Sequence, residues 1–302
     1  MSQRTNIAVL GAGLMGHGIA QVFARAGHEV NVYDPMAASL DALHGRIEAN
    51  LAALDEPEDG LLARVHPCTV LAEAVRYADV VFEAALEDVA VKRSLFAEVE
   101  AHARPDAILA SNTSVMPITS IMQNLAHRER ALGTHWWNPP FLIPLVEVVG
   151  TEWTAPAVLD QMMVLLAQAG KIPVRVARDV PGFIGNRLQH ALWREAVALV
   201  EEGICSAEDV DTVVKASFGR RLDVLGPLEN ADLVGTDLTL AIHRTVLPAI
   251  NSRPAPSPYL EKLVADQKLG MKSGEGFRRW SAEEQAALRA SVFATLKIKK
   301  MT

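Results

Sequence analysis

The fold of this chain is decided by the stretch Asn6-Ile7-Ala8-Val9-Leu10-Gly11-Ala12-Gly13-Leu14-Met15-Gly16. An apolar run typical of a strand leads directly into a Gly-x-Gly-x-x-Gly loop, and apolar residues at helical spacing follow it. Gly11 permits a tight turn, Gly13 lets the backbone come close to a diphosphate, and Gly16 lets a helix pack closely on the strand. The stretch therefore predicts a strand–loop–helix unit with a phosphate site at the N-terminus of the helix.

An acidic residue after the next predicted strand indicates which dinucleotide this loop binds. Glu29–Tyr33 is predicted to be that strand, and Asp34 follows it directly. A carboxylate here accepts hydrogen bonds from the ribose hydroxyls of adenosine and repels a 2′-phosphate. Because no arginine follows in Asp34-Pro35-Met36, we predict that the cofactor is NAD rather than NADP. The predicted contacts in this part of the chain are Gly11, Gly13, Leu14, Met15, Gly16 and Asp34.

Predicted strands and helices alternate up to about residue 180. Further strands are predicted at Asp79–Phe82, Ala107–Ala110, Arg130–Thr134, Pro144–Val149 and Ile172–Val176, with helices at Leu14–Ala26, Val91–Ala103 and Ala157–Ala169. After Pro181-Gly182 the pattern becomes helical, starting with Phe183–Glu202. We therefore predict a doubly wound α/β domain of Rossmann type over residues 1–180 and an all-α domain over residues 181–302.

Composition excludes several classes of protein. Of the 302 residues, 50% are hydrophobic and 22% are charged, a balance that is not typical of disordered chains. The net charge of −7 does not suggest a nucleic-acid partner, and no apolar run is long enough to span a membrane. The two cysteines, Cys68 and Cys205, predict no disulfide framework and no metal site. We expect a cytoplasmic protein whose last lysines, Lys297, Lys299 and Lys300, form a solvated tail.

A second stretch contains candidate catalytic residues: Gly133-Thr134-His135-Trp136-Trp137-Asn138-Pro139-Pro140. Glu147 lies on the apolar strand that follows, where a carboxylate is costly unless it is paired. The turn can bring Glu147 back beside His135, where the carboxylate would fix the tautomer of the imidazole and raise its basicity. The other ring nitrogen would then face a substrate as a general base.

This stretch resembles the 3-hydroxyacyl-CoA dehydrogenase family, whose signature is His-x-x-Asn-Pro followed by a Glu on a Leu-Val-Glu-Val strand. Three other motifs are similar to those of the family, in order and properly spaced along nearly the whole chain. They are Ser-Asn-Thr-Ser at 111–114, Asp-Val-Pro-Gly-Phe-Ile-Gly-Asn-Arg at 179–187 and Gly-Met-Lys-Ser-Gly-Glu-Gly-Phe at 270–277.

The resemblance implies roles for individual residues. His135 is implied to take the proton of an L-3-hydroxyl group, with Glu147 as its partner. Ser114 is implied to bond the reacting oxygen, and Asn186 to complete the site. The further cofactor contacts implied by the resemblance are Glu87, Lys92, Ser114, Asn138 and Lys272. Hydride transfer itself is chemistry that NAD supplies.

In sequence features related to the substrate, the chain differs from family members that act on CoA esters. Those members typically carry lysines or serines near the CoA phosphates after the second strand, whereas residues 46–76 here contain three basic and six acidic residues. Trp136-Trp137 also differs from the usual Phe-Phe and is closer to the branch containing lambda-crystallin (L-gulonate 3-dehydrogenase) and carnitine dehydrogenase. Arg187 and Arg194 are candidate partners for a substrate carboxylate.

Three hypotheses remain. The sequence favours oxidation of a small L-3-hydroxy acid, with an L-3-hydroxyacyl-CoA dehydrogenase as the alternative. A non-catalytic NAD-binding protein, like the crystallins of this branch, is a hypothesis of another class. The resemblance implies a homodimer, which we expect to form through apolar helix faces such as Leu188, Leu192, Val197 and Val200.

Overall fold

The computed structural model describes residues 4–301, apart from the side chains of residues 299 and 301. Within it the chain forms two compact units. The first unit comprises the residues up to Arg187 together with those from Phe293 onward, and the second comprises Leu188–Val292.

The first unit is built on one sheet of eight strands. The strands are β1 Asn6–Leu10, β2 Glu29–Tyr33, β3 Val65–Cys68, β4 Val80–Glu83, β5 Ile108–Ser111, β6 Ala131–Trp136, β7 Leu145–Gly150 and β8 Ile172–Val176. Their spatial order is β3-β2-β1-β4-β5-β6-β7-β8. All neighbouring strands are parallel except β6 and β7, which are antiparallel. The predicted Rossmann-type sheet is therefore confirmed, and the order reverses between β1 and β4.

Helices cover both faces of this sheet. They are α1 Gly16–Arg25, α2 Ala37–Asp41, α3 Leu43–Leu54, α4 Leu71–Val75, α5 Val89–His102, α6 Ile118–Met122 and α7 Pro156–Gln168. Successive residues of a strand point to opposite faces. Accordingly Ile7 and Val9 of β1 belong to one buried apolar cluster, with residues of α1 and α3, while Ala8 and Leu10 belong to another, with residues of α4 and α5. Both clusters are continuous apolar layers, as a parallel sheet requires.

One strand was not predicted from the sequence. β3 has the sequence Val-His-Pro-Cys, in which only Val65 is buried, and it forms the edge of the sheet beside β2. Proline is tolerated at such an edge because one side of the strand forms no ladder. The segment lacks the apolar run by which the other strands were predicted, and pairing with β2 creates it.

The prediction of a solvated lysine tail was wrong. Lys297 Nζ donates to the carbonyl oxygen of Ala53 at 2.9 Å and to Asp55 Oδ2 at 2.6 Å. Lys300 Nζ donates to Glu56 Oε1 at 2.6 Å. The partners are more than 240 residues apart in the chain, so no local pattern could indicate the pairing. The side chain of Lys299 lies outside the described residues.

The second unit contains helices and no named strand among the residues described. The helices are α8 Gly185–Glu201, which begins in the first unit, α9 Ala207–Ala216, α10 Pro227–Val234, α11 Thr236–Val246, α12 Pro258–Ala265 and α13 Ala282–Met301, which ends in the first unit. Ser206 and Asp209 cap α9 as a reciprocal capping box. Nowhere between residues 4 and 301 does a helix have the length and apolar character needed to cross a membrane.

Candidate active site

The predicted site residues of the first unit gather at the carboxyl edge of its sheet. The glycine loop follows β1, Asp34 follows β2, Glu87 follows β4, Ser114 follows β5, and Asn138 follows β6. The carboxyl ends of neighbouring parallel strands meet at one edge, and ligands of open α/β sheets bind there at the point where strand order reverses. Since β1 and β4 are adjacent, the glycine loop lies at this point.

The glycine loop has the geometry that a bound diphosphate requires. Gly11 has φ +105°, and a Cβ atom added there would lie 2.6 Å from the carbonyl oxygen of Ala84. A Cβ atom at Gly16 would lie 1.7 Å from the carbonyl oxygen of Gly11, so only glycine allows this packing. At Gly13, by contrast, a Cβ atom would meet nothing within 4 Å. The space above Gly13 is open and next to the N-terminus of α1, which fits a dinucleotide phosphate.

Asp34 lies against the same loop. Its Oδ2 accepts a hydrogen bond from the backbone N–H of Ala12 at 2.8 Å, and its Oδ1 accepts one from the N–H of Met36 at 2.9 Å. A carboxylate oxygen can accept further bonds on its remaining lone pairs. The residues present therefore fit NAD, with the ribose hydroxyls at Asp34 and the phosphates at the glycine loop.

His135 and Glu147 lie directly opposite each other in the antiparallel pair β6–β7. His135 Nδ1 and Glu147 Oε2 are 2.7 Å apart, and both side chains are buried. Among the described residues no hydrogen bond is formed by His135 Nε2. With the carboxylate accepting from Nδ1–H, the lone pair is on Nε2, which makes this nitrogen a base.

The carboxylate of Glu147 is stabilised in its charged form. Burial alone would raise the pKa of Glu147, but hydrogen bonds from His135 and from the backbone N–H groups of Gly185 and Ile184 hold it below its ordinary value. These two N–H groups lie 3.1 Å and 2.8 Å from Oε1 at the start of α8. The preceding turn contains Phe183 in the left-handed region with φ 50°, and its ring lies 5.6 Å from that of His135.

Lys171 stabilises the turn between β6 and β7. Its ammonium group donates to the carbonyl oxygen of Pro140 and, at 3.0 Å, to that of Ile143, and it lies 5.5 Å from the centre of the Trp136 ring. Burial, with a smaller contribution from the charge of Lys300, lowers the pKa of Lys171 to about 8. The turn that returns the chain from His135 to Glu147 is therefore fixed by a buried amine.

Ser114 lies in a loop that two other predicted site residues fix. Asn186 Nδ2 donates to the backbone carbonyl oxygen of Ser114 at 2.7 Å. Glu87 Oε1 accepts from the Ser114 N–H at 2.8 Å and from the Thr113 hydroxyl at 2.6 Å. Burial would raise the pKa of Glu87, but these bonds and the charge of Lys92 lower it. The structure thus brings Ser114, Asn186, Glu87 and Lys92 into one hydrogen-bonded group.

Glu83 is a residue of this group that the sequence analysis missed. It is fully buried at the end of β4 and accepts from Lys92 Nζ at 2.6 Å, Ser111 Oγ at 2.6 Å and the Ala85 N–H at 2.8 Å. Lys92 is fully buried as well, between Glu83 and Glu87. The available signal was a glutamate that closes an apolar strand at the carboxyl edge of the sheet.

Asn138 and Lys272 are not part of this hydrogen-bonded group. Asn138 is exposed immediately after β6. Lys272 is exposed in the second unit, within the turn bounded by the bridge between Gly270 and Glu275. Their contacts with the cofactor therefore stay predictions.

The fold and this site define an NAD-dependent oxidoreductase that acts on a CH–OH group. Residues 6–180 match the model of the NAD-binding domain of 3-hydroxyacyl-CoA dehydrogenase, and residues 182–280 match the model of its C-terminal domain. The chain belongs to the 3-hydroxyacyl-CoA dehydrogenase family.

Individual relatives act on different kinds of substrate, according to their names. The 5-formyl-3-hydroxy-2-methylpyridine 4-carboxylate 5-dehydrogenase of Mesorhizobium japonicum is 35% identical over 94% of each chain. A solved structure of an enzyme of this name, described as an NAD+-dependent dismutase, has a TM-score of 0.91 and covers 99% of this chain and 98% of that chain at 34% identity. Human mitochondrial hydroxyacyl-coenzyme A dehydrogenase is 38% identical over 91% of each chain. The structure of (S)-3-hydroxybutyryl-CoA dehydrogenase from Ralstonia eutropha has a TM-score of 0.77 at 30% identity and covers 92% of this chain and 100% of that chain.

The lowered pKa of Glu147 predicts an acid-dependent loss of stability. A carboxyl group whose pKa is lower in the folded state stabilises that state above its unfolded pKa, and this contribution disappears as pH falls through the folded pKa. We expect Glu147→Gln to lower the free energy of unfolding most above pH about 5 and progressively less in more acidic solution. Denaturant unfolding at a series of pH values measures this difference.

The matched control is Glu152→Gln, which removes the same charge at an exposed position. Its effect on the free energy of unfolding is expected to stay small at every pH. If Glu147→Gln lowered the free energy of unfolding by the same amount at pH 7 and at pH 3, the lowered pKa of Glu147 would not explain its stabilising effect.

Proposed function

We propose that the protein oxidises the hydroxyl group of a small L-3-hydroxy acid that is not a CoA ester, and that His135 is the general base. The observation that supports the chemistry best is the 2.7 Å contact between His135 Nδ1 and Glu147 Oε2, which leaves Nε2 for a substrate. Glu147 orients the ring and stabilises the imidazolium that forms when Nε2 takes the hydroxyl proton. NAD, when bound, supplies the acceptor for the hydride from the same carbon.

Ser114 and Asn186 act next to this base in the proposed mechanism. The Ser114 hydroxyl hydrogen-bonds the reacting oxygen, which becomes a carbonyl oxygen as the substrate is oxidised. Asn186 fixes the position of Ser114 through its bond to the backbone carbonyl oxygen of that residue. Glu87 fixes the same loop through the Ser114 N–H. Both bonds act on the backbone, so they leave the hydroxyl of Ser114 for the substrate.

The charges around residues 46–76 support a substrate without CoA. All three arginines of this span already have partners: Arg46 and Arg64 donate to the carbonyl oxygens of Ala12 and Ala24, and Arg76 lies over the Tyr77 ring. Lys297 and Lys300 of α13 are paired with Asp55 and Glu56. CoA phosphates require cationic partners, whereas this span contains six acidic residues against three basic ones.

The relatives also support a substrate without CoA, but some of them are named for CoA esters, which supports the alternative function. The structure with a TM-score of 0.91 is of an enzyme named for a pyridine carboxylate, whereas that of the hydroxybutyryl-CoA enzyme has 0.77. The human CoA-ester enzyme is nevertheless slightly more identical in sequence, at 38% against 35%. An L-3-hydroxyacyl-CoA dehydrogenase is therefore the second candidate function. For a free acid, Arg187 or Arg194 is the proposed partner of the carboxylate.

Replacement of His135 tests the catalytic proposal and the hypothesis of a non-catalytic protein together. Removing a general base lowers kcat by about 10²- to 10⁴-fold. We expect His135→Ala to show such a loss while its dissociation constant for NADH stays within about twofold of wild type. Stopped-flow or steady-state NADH absorbance gives the rate, and a fluorescence titration gives the binding.

The control for this variant is His127→Ala, because the His127 side chain is exposed and its imidazole pairs with Glu129 on the surface. It should retain wild-type rates. The proposed chemistry would be wrong if His135→Ala kept full activity. It would also be wrong if none of the hydroxy acids or hydroxyacyl-CoA esters supported NAD reduction by the wild type.

A screen of substrates in matched pairs tests the substrate class. Each L-3-hydroxy acid is offered as the free acid and as its CoA ester, and NAD reduction is followed. We expect at least one free acid to have a kcat/KM about tenfold or more above that of its ester. Calorimetric titration of acetoacetyl-CoA and of free 3-keto acids in the presence of NADH gives a second measurement. Tight binding that requires CoA would favour the alternative function.

The oligomeric state is proposed to be a homodimer formed by the second unit. Large apolar side chains are exposed on α8, α10 and α11 of this unit, among them Leu188, Leu192, Trp193, Leu228 and Leu238. Val197 and Val200 are only half-buried. Exposed apolar surface of this extent is typical of protein–protein interfaces. Light scattering at micromolar concentration should give twice the mass of the chain, and a monomer would contradict the proposal.

A further inference from the structure

Side chains from three places fix the backbone of the glycine loop. The N–H of Ala12 donates to Asp34 Oδ2 at 2.8 Å, and the carbonyl oxygen of Ala12 accepts from Arg46 Nη1 at 2.8 Å. The carbonyl oxygen of Gly13 is 2.7 Å from His17 Nδ1. Two opposite charges thus hold the two polar backbone groups of one loop residue, and a ring nitrogen holds the next carbonyl group.

Arg46 is the one member of this set that places a positive charge beside the loop. It lies on α3, twelve residues after Asp34, and it is exposed. Among the described side chains it forms no ion pair, and one of its five N–H groups is used by Ala12. Its charge is therefore not neutralised by a carboxylate of the described chain.

His17 contributes geometry rather than charge. Burial lowers the pKa of His17, the bond to Gly13 opposes this shift, and the neighbouring charge of Arg46 lowers the pKa further. A neutral ring with its proton on Nδ1 donates to the Gly13 carbonyl oxygen. The positive potential at this loop thus comes from Arg46 and from the N-terminus of α1.

We propose that Arg46 is a positioning residue for the cofactor, which fixes the Ala12 carbonyl group of the loop and adds positive charge where the diphosphate of NAD binds. Asp34 and Arg46 then act on different parts of the dinucleotide. The carboxylate selects the ribose hydroxyl groups, and the guanidinium favours the diphosphate. Neither the glycine motif nor the family resemblance pointed to this arginine, because α3 brings it back to the loop only in the folded chain.

Equilibrium binding of cofactor fragments tests the proposal without catalysis. The ligands are NADH, ADP-ribose, adenosine and NADPH, measured by fluorescence or calorimetry with wild type, Arg46→Met and Arg46→Lys. The matched control is Arg64→Met, since Arg64 Nη1 also donates to a backbone carbonyl oxygen, that of Ala24 at 3.4 Å, away from the loop. It removes the same charge and the same kind of bond.

We expect Arg46→Met to bind NADH and ADP-ribose about fivefold more weakly, because a charge-assisted hydrogen bond and a nearby cation are lost. Adenosine, which has no phosphate, should bind within about twofold of wild type. Arg46→Lys should recover most of the affinity, and Arg64→Met should bind every ligand like wild type. Raising the salt concentration should reduce the difference between wild type and Arg46→Met.

Four results would overturn the proposal. Unchanged NADH affinity in Arg46→Met would mean that the arginine has no role in binding. An equal loss for adenosine, or an equal loss in Arg64→Met, would indicate general damage or a general effect of net charge. A loss confined to NADPH would assign Arg46 to a 2′-phosphate instead. Thermal unfolding of each variant shows that the protein is folded, and Arg46→Gln replaces Arg46→Met if the latter is not.

Discussion

The pairing of His135 with Glu147 depends on a single reversal of direction in an otherwise parallel sheet. Parallel neighbours need a crossover helix between them, whereas an antiparallel pair is joined by a short turn. Here the turn after His135 returns the chain so that residue 147 lies opposite residue 135 in the β6–β7 register. The buried Lys171 fixes that turn through two carbonyl oxygens. A buried imidazole and a buried carboxylate are thereby held in contact by backbone register.

Buried charge near the sheet edge is balanced residue by residue. Glu147 accepts from two N–H groups at the start of α8 and from the His135 ring. Glu83 accepts from Lys92, Ser111 and Ala85. A buried ion left unpaired costs several kcal/mol, on the order of 3–5, so these donors together stabilise the two buried carboxylates. The same bonds fix the end of β5 at Ser111 and the turn at Ile184 and Gly185 that leads into α8.

The C-terminal helix supplies positive charges that pair with an acidic segment of the first unit. Taken alone, Asp55-Glu56-Pro57-Glu58-Asp59 presents only negative charge. In the folded chain Lys297 pairs with Asp55, and Lys300 and Arg25 pair with Glu56, while Glu58 accepts from the N–H groups of Gly60 and Leu62. Phe293 and Leu296 of the same helix pack against the core of the first unit. The segment therefore binds the C-terminal helix of the same chain, and Lys297 and Lys300 are not free for a phosphate.

Features whose partners are close in the chain could be predicted from the amino-acid sequence. The glycine loop, Asp34 and the pair His135–Glu147 each lie within about one supersecondary unit, so spacing and strand alternation were sufficient to predict them. Contacts between distant segments became visible only in the folded chain: Asn186 with Ser114, Glu83 with Ser111, Arg46 with Ala12 and Lys297 with Asp55. It also added β3, an edge strand without an apolar pattern of its own. The physical reason is that the periodicity of apolar residues indicates only which face of a helix or strand is buried. The partner of a buried or half-buried charge depends on which helices and strands lie side by side in the folded chain.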